Sequence, residues 1–157
     1  MKTVLIALGG NLGDRTACIR RAIALLEEQI VILSVSPFME TPPAEGAAGG
    51  RFLNGVIAAS TRLSPSRLFS VLQSVEVRCG RPAVHARGDA RTIDLDLLDY
   101  DGRILRTSLF TLPHPGMKRR RFVLEPIAAI APDWRHPVEK KTAEDLLRKL
   151  VRNACRS

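Results

Sequence analysis

The apolar positions change period several times along the chain, and each change marks a new element. Val4-Leu5-Ile6-Ala7-Leu8 is an unbroken apolar run. It suits a central strand covered on both faces. Gly9-Gly10-Asn11-Leu12-Gly13-Asp14 then reads as a turn, with Asp14 placed to cap a helix. Ile19, Ala22, Ile23 and Leu26 recur at helical spacing, so this helix runs to about residue 29. Residues 31–38 return to a strand, with Val31, Leu33 and Val35 set against Ser34 and Ser36. Residues 37–51 read as a loop, stiff at Thr41-Pro42-Pro43 and loose through the glycines and alanines that follow. Residues 52–61 form another strand. Ser64 caps a second helix, with Pro65 at its first position and Gly80 at its end. Leu68, Val71, Leu72 and Val75 give that helix its buried stripe. After a basic loop over residues 81–90, alternation resumes in a strand over 92–100. There Ile93, Leu95 and Leu97 face one side, and Thr92, Asp94 and Asp96 the other.

Strand, helix, strand, strand, helix, strand predicts an α+β fold of the ferredoxin-like βαββαβ kind. Its antiparallel sheet carries both helices on one face and leaves the other face for a site. Beyond residue 101 comes a C-terminal extension. Thr111-Leu112-Pro113-His114-Pro115-Gly116 is turn-rich, and residues 122–130 and 142–151 read as short helices. Thr142 and Asp145 form a capping-box-like pair. No repeat or linker divides the chain, so residues 1–157 are expected to form a single domain.

Charge narrows the partners. A net charge of +8 points to an anion: nucleic acid, a membrane surface or a polyphosphate. One Trp, one Tyr and five Phe are few for a platform that stacks single-stranded bases. Arg78, Arg81, Arg87 and Arg91 precede the aspartate pair, and Lys118, Arg119, Arg120 and Arg121 follow it. A pocket for one polyphosphate and a nucleic-acid-binding face both fit this clustering. No apolar run approaches the roughly 20 residues that span a bilayer. No signal-peptide pattern opens the chain, so a cytoplasmic protein is expected. Cys18, Cys79 and Cys155 are then expected as reduced thiols that fill apolar space. Three scattered histidines do not suggest zinc.

Asp94 and Asp96 are the candidate chemistry. Two residues along a strand is about 6–7 Å. Carboxylates projected in parallel at that distance can hold hard divalent cations. Magnesium takes few protein oxygens and completes its shell with phosphate and water. For two aspartates alone, a sheet face meeting water is the plainer reading. Residues elsewhere in the chain change it.

Those residues are Leu8-Gly9-Gly10-Asn11-Leu12-Gly13, Glu40-Thr41-Pro42-Pro43, Phe52-Leu53-Asn54, Glu76 with Gly80-Arg81, Arg91-Thr92-Ile93-Asp94-Leu95-Asp96-Leu97-Leu98, Leu112-Pro113-His114-Pro115, and Phe122-Val123-Leu124 followed by Pro126 and Ile130-Ala131-Pro132. In order and spacing, from about residue 3 to residue 135, the chain resembles the 6-hydroxymethyl-7,8-dihydropterin pyrophosphokinases of folate biosynthesis. The resemblance implies transfer of diphosphate from ATP to the hydroxymethyl group of a reduced pterin, with release of AMP. It implies magnesium, two ions, on Asp94 and Asp96, and catalytic roles for Arg81, Arg91, Asp94 and Asp96. It places ATP against Gln73, Glu76, Arg81, Arg91, Leu97, Thr111, His114 and Arg120. It places the pterin between Phe52 and Phe122, with Asn54, Thr41, Pro42, Pro43 and Ala44 at its edge. Loops 44–51 and 81–90 are expected to act as lids. The expected partners are these small molecules only, with no nucleic acid, no membrane and a monomeric protein.

The chain departs from the family pattern in three places. Gly88-Asp89-Ala90 stands where an aromatic-Gly-Pro is usual, Ala83 where some members have arginine, and Leu109 at a commonly basic position. These bear on rate and ATP affinity rather than on reaction class. Two alternatives follow: a catalytically degenerate relative that binds pterin or nucleotide, and a small RNA-binding module on the same topology.

Overall fold

A computed structural model describes residues 1–43, 48–81 and 90–157. The apolar run at the start becomes β1 (Lys2–Gly10), the middle of an antiparallel sheet. One side of β1 pairs with β4 (Phe52–Thr61), the other with β5 (Asp94–Tyr100). Along the outer side of β4 lie β2 (Val31–Val35) and β3 (Met39–Thr41), end to end. The helices α1 (Arg15–Glu27) and α2 (Pro65–Arg78) cover one face, completing the βαββαβ order.

Both faces of β1 are buried, for different reasons. Val4, Ile6 and Leu8 meet α1 and α2 through Ile19, Leu26, Leu68 and Leu72. Leu5 points the other way, with Val56 and Leu98, into a second core. That core is closed by Val123, Leu124 and Ile127 of α3 (Arg121–Ile130) and Leu146 of α4 (Ala143–Ala154). A bulge in β5 serves both cores. Leu5 pairs with Asp99 and Ile6 with Leu97, so Leu98 stands between them and turns to α3 while Leu97 faces α1 and α2. The C-terminal helices therefore cover part of the face that the sequence left open.

Asp14, Ser64 and Thr142 cap their helices as expected, accepting the amides of Ala17, Arg67 and Asp145. Other expectations need correction. β1 runs on through Gly9 and Gly10 instead of turning there, because both glycines still pair with β4. A Cβ on Gly10 would lie 2.4 Å from the Thr92 carbonyl oxygen, so only glycine lets the strand continue. Met39–Thr41, expected as loop, is a strand paired with Phe52, Leu53 and Asn54. Thr41 thus pairs directly with Phe52 where β3 meets the start of β4. The ribbon of β6 (Leu105–Arg106) and β7 (Thr111–Leu112), and a 3-10 turn at Met117–Arg119, had no periodic signal to announce them. All three cysteines are free, and Cys155 is exposed, so it fills no apolar space. Among the described residues no helix is long and apolar enough to cross a membrane.

Candidate active site

Strand register brings the candidate chemistry to one place. Gly9 pairs with Asn54 on one side and Asp94 on the other; Ala7 pairs with Val56 and Asp96. Cross-strand partners share a face. Asn54, Asp94 and Asp96 therefore all leave the sheet on the side away from α1 and α2. Between them the floor is glycine and alanine, and above it opens a cavity of about 330 Å³. A Cβ on Gly9 would lie 2.6 Å from Asn54 Oδ1, so the floor there has room for no side chain.

Five of the expected pterin residues line this cavity: Thr41, Pro42, Phe52, Asn54 and Phe122. Phe52 opens β4, and Phe122 comes from the first turn of α3. Asn54 Nδ2 donates to Thr41 Oγ1 at 2.7 Å, which fixes the amide's orientation. Pro43 is half-buried and off the cavity wall. Ala44 lies outside the described residues, as do positions 83, 88 and 89, half of the expected 44–51 lid and most of the expected 81–90 lid.

Arginines crowd the aspartates. Arg81 Nη1 lies 2.7 Å from Asp94 Oδ1 and 2.8 Å from Glu76 Oε1. Arg91 Nη1 lies 3.1 Å from Asp94 Oδ2, and Arg120 Nη1 4.0 Å from Asp96 Oδ2. Arg81 arrives there because α2 ends in a reversal. Gly80 takes φ 94°, its N–H donates to the Val77 carbonyl, and the Arg81 N–H donates back to the Glu76 carbonyl. That pair of bonds is a Schellman motif, which only a residue tolerant of positive φ supports well. Glu76 Oε1 also accepts the Leu95 N–H at 2.7 Å, tying α2 to the aspartate strand. The guanidinium carbon of Arg91 lies 6.0 Å from the Phe52 ring centre, and that of Arg120 6.0 Å from Phe122. Each candidate stacking ring is thus flanked by an arginine that also reaches toward a carboxylate.

Burial, and then the nearby Asp94 charge, push the Asp96 carboxyl up to about 6. Burial also pushes Glu76 up to about 7, against the Leu95 amide and Arg81. A cation beside Asp96 would offset both causes of its shift. Among the described residues no group of three or more His, Cys, Asp and Glu gathers to cage a metal. Two carboxylates without nitrogen or sulfur donors fit magnesium, whose shell substrate phosphates and water complete.

The remaining expected nucleotide residues stand apart from the cavity. Gln73 is exposed on α2. Glu76 sits behind Arg81 rather than on an exposed helix face. The Leu97 side chain is buried against α1 and α2, which leaves only its backbone to meet a ligand. Thr111 and His114 line a separate cavity of about 220 Å³ with Arg106 and Lys118. The His114 N–H donates to the Leu98 carbonyl at 2.8 Å, which anchors that segment to β5. Burial first, and the Arg120 charge second, hold the His114 imidazole below its usual value. Leu109 is exposed.

The sequence reading gave no role to three further groups at this site. Asn11 and Glu40 lie inside the family-like motifs, and Arg15 lies outside them. Arg15 binds the Glu40 carboxylate and donates to the Arg51 carbonyl, which ties α1 to β3 and to the residue before β4. Arg15 sits one residue after the helix cap, where a positive charge opposes the helix dipole, and that was the signal available.

Comparison with known proteins bears on the family and the fold. The family model described as 7,8-dihydro-6-hydroxymethylpterin-pyrophosphokinase (HPPK) matches residues 5–132. A 2-amino-4-hydroxy-6-hydroxymethyldihydropteridine pyrophosphokinase of Aquifex aeolicus is 37% identical over 145 residues, 92% of this chain and 90% of that one. The Bacillus subtilis protein of the same name is 38% identical over 127 residues, 80% of this chain and 75% of that one. Folic acid synthesis protein fol1 of Schizosaccharomyces pombe is 37% identical over 151 residues, 95% of this chain, which spans only 20% of that longer protein. Among solved structures, Plasmodium falciparum HPPK-DHPS, wild type with SDX-DHP, superposes with a TM-score of 0.73 at 14% identity. The match covers 98% of this chain and 44% of that one, and it shows the ferredoxin-like fold.

Proposed function

This chain belongs to the 7,8-dihydro-6-hydroxymethylpterin-pyrophosphokinase family, and we propose that its cavity transfers diphosphate from ATP to the hydroxymethyl group of 6-hydroxymethyl-7,8-dihydropterin. The hydroxyl oxygen gives up its proton to water and forms a bond to the β-phosphorus. The bond from the β-phosphorus to the bridging oxygen of the α-phosphate breaks, and AMP leaves with its electron pair. Such a displacement asks a protein for alignment and charge neutralisation rather than a covalent partner.

Asp94 and Asp96 are the residues that would hold magnesium, as two ions, which supplies charge neutralisation along the triphosphate. Arg81 and Arg91 already gather at Asp94, and their guanidinium forks suit phosphate oxygens once nucleotide is bound. Arg120 serves the same end from the Asp96 side. Phe52 and Phe122 take the flat heterocycle between them, while Asn54, Thr41 and Pro42 hold its edge, with Pro43 behind them. Gln73, Glu76, Leu97, Thr111 and His114 serve the nucleotide. Of these, Glu76 acts through Arg81. The +8 charge then answers a triphosphate, with no nucleic acid and no membrane needed, in a monomeric cytoplasmic enzyme.

The observation that carries this reading is the register that sets Asn54, Asp94 and Asp96 around one cavity. The experiment mixes protein, ATP, magnesium and the hydroxymethyl dihydropterin. AMP is expected in equimolar step with pterin diphosphate. ADP would make this a different kinase, and ligand binding without either product would make it a degenerate relative.

A further inference from the structure

Asn11 has no role in the reaction as derived so far, yet it is 5% exposed and bonded on every arm. Its Oδ1 accepts the Arg91 N–H at 2.9 Å, and its own N–H donates to the Arg91 carbonyl at 3.0 Å. Its Nδ2 donates to the Ala48 carbonyl at 2.8 Å and to the Gly50 carbonyl at 3.4 Å. One residue therefore joins the strand carrying the cavity floor, the hairpin segment leading into Phe52, and the arginine that reaches Asp94. The three backbones close tightly around this amide. A Cβ at Gly49, which takes φ +94°, would lie 2.5 Å from Asn11 Nδ2. The amide has one workable orientation, since a flip would set its NH₂ against the Arg91 N–H and its oxygen against two carbonyls.

We propose that Asn11 is a positioning residue that fixes Arg91 relative to the 48–52 segment, so that the phosphate side and the pterin side of the cavity are set together. This rests on the diphosphate-transfer reading. Asn11 touches no reacting atom. Its effect passes through Arg91, whose guanidinium meets both Asp94 and the Phe52 ring.

The test is a double-mutant cycle on turnover and on KM for each substrate, with melting temperature measured alongside. Asn11→Ala is expected to lower kcat about 10- to 100-fold, the scale of a misplacement near 1 Å. In an Arg91→Ala background the same change is expected to add little. Wild-type kcat in Asn11→Ala, or an undiminished loss in the Arg91→Ala background, would overturn the proposal. Asn11→Asp keeps the acceptor for the Arg91 amide but faces the Ala48 and Gly50 carbonyls with an oxygen. It is expected to lose less kcat than Asn11→Ala while raising the pterin KM several-fold. An unchanged pterin KM in that variant also overturns the proposal, even where Asn11→Ala fails to fold. A wild-type protein that makes no AMP fails the underlying reading instead, and that outcome is distinct from active wild type with an indifferent Asn11.

Discussion

Between the Asn54 amide and the Asp94 carboxylate stands a residue with no side chain. Gly9 pairs with both, and that vacancy gives the cavity its floor. Adding one carbon should act on the pterin side first. Gly9→Ala would force Asn54 Oδ1 away from a contact of 2.6 Å, and with it the bond to Thr41. We expect the variant to fold, with pterin KM raised about tenfold and ATP KM nearly unchanged, as steady-state kinetics would read. At this scale much of the site was legible. Period two along β5 put Asp94 and Asp96 on the face opposite Leu95 and Leu97, and period two along β4 put Phe52 with Asn54. Arg81 and Glu76 were legible as a pair of candidates but not as a contact. Their approach depends on the reversal at Gly80, a conformation of single residues that carries no period.

Among the elements, the sequence found those long enough to repeat a pattern. Both helices beneath the sheet, β4 and the two C-terminal helices appeared within a few residues of their observed ends. β3 did not, because Met39-Glu40-Thr41 is too short to alternate and follows Pro37. Only its pairing with the start of β4 makes it a strand. The connection between α3 and α4 was equally silent, and it holds a buried histidine. His136 Nδ1 accepts the Val138 and Glu139 amides at 3.2 and 3.1 Å, and its ring meets Trp134 edge-on. Burial is the main cause that holds its pKa below the ordinary 6.5, with Lys118 adding to it and Glu139 opposing. The unfolded chain therefore takes up a proton first as pH falls, so this part of the stability is present above about 6.5 and is lost below it. The raised Glu76 and Asp96 carboxyls pull the other way between about pH 7.5 and about pH 5, because the folded state takes up their protons first. The His136 part is therefore read as a difference in slope: as pH drops from about 7.5 to about 5, melting temperature should lose more, or gain less, in the wild type than in His136→Gln. An equal slope in both proteins would exclude His136 as its source.

For the molecule as a whole, one sheet serves two cores, and the site lies where the second core stops. α3 and α4 seal the outer face near Leu5, Val56 and Leu98, while Phe122, at the start of α3, marks the boundary between packing and cavity. The sequence left that whole face open, because nothing in the pattern of residues 101–157 says where the extension docks. The central claim is that Asp94 and Asp96 hold the cations that join the two substrates. Its most direct test is a crystal grown with manganese in place of magnesium, an inert ATP analogue and the hydroxymethyl dihydropterin, read by anomalous scattering. Metal peaks are expected within about 2.2 Å of carboxylate oxygens of both aspartates, with the pterin ring between Phe52 and Phe122. Metal bound away from both aspartates, or a pterin seated outside that cavity, would contradict the account.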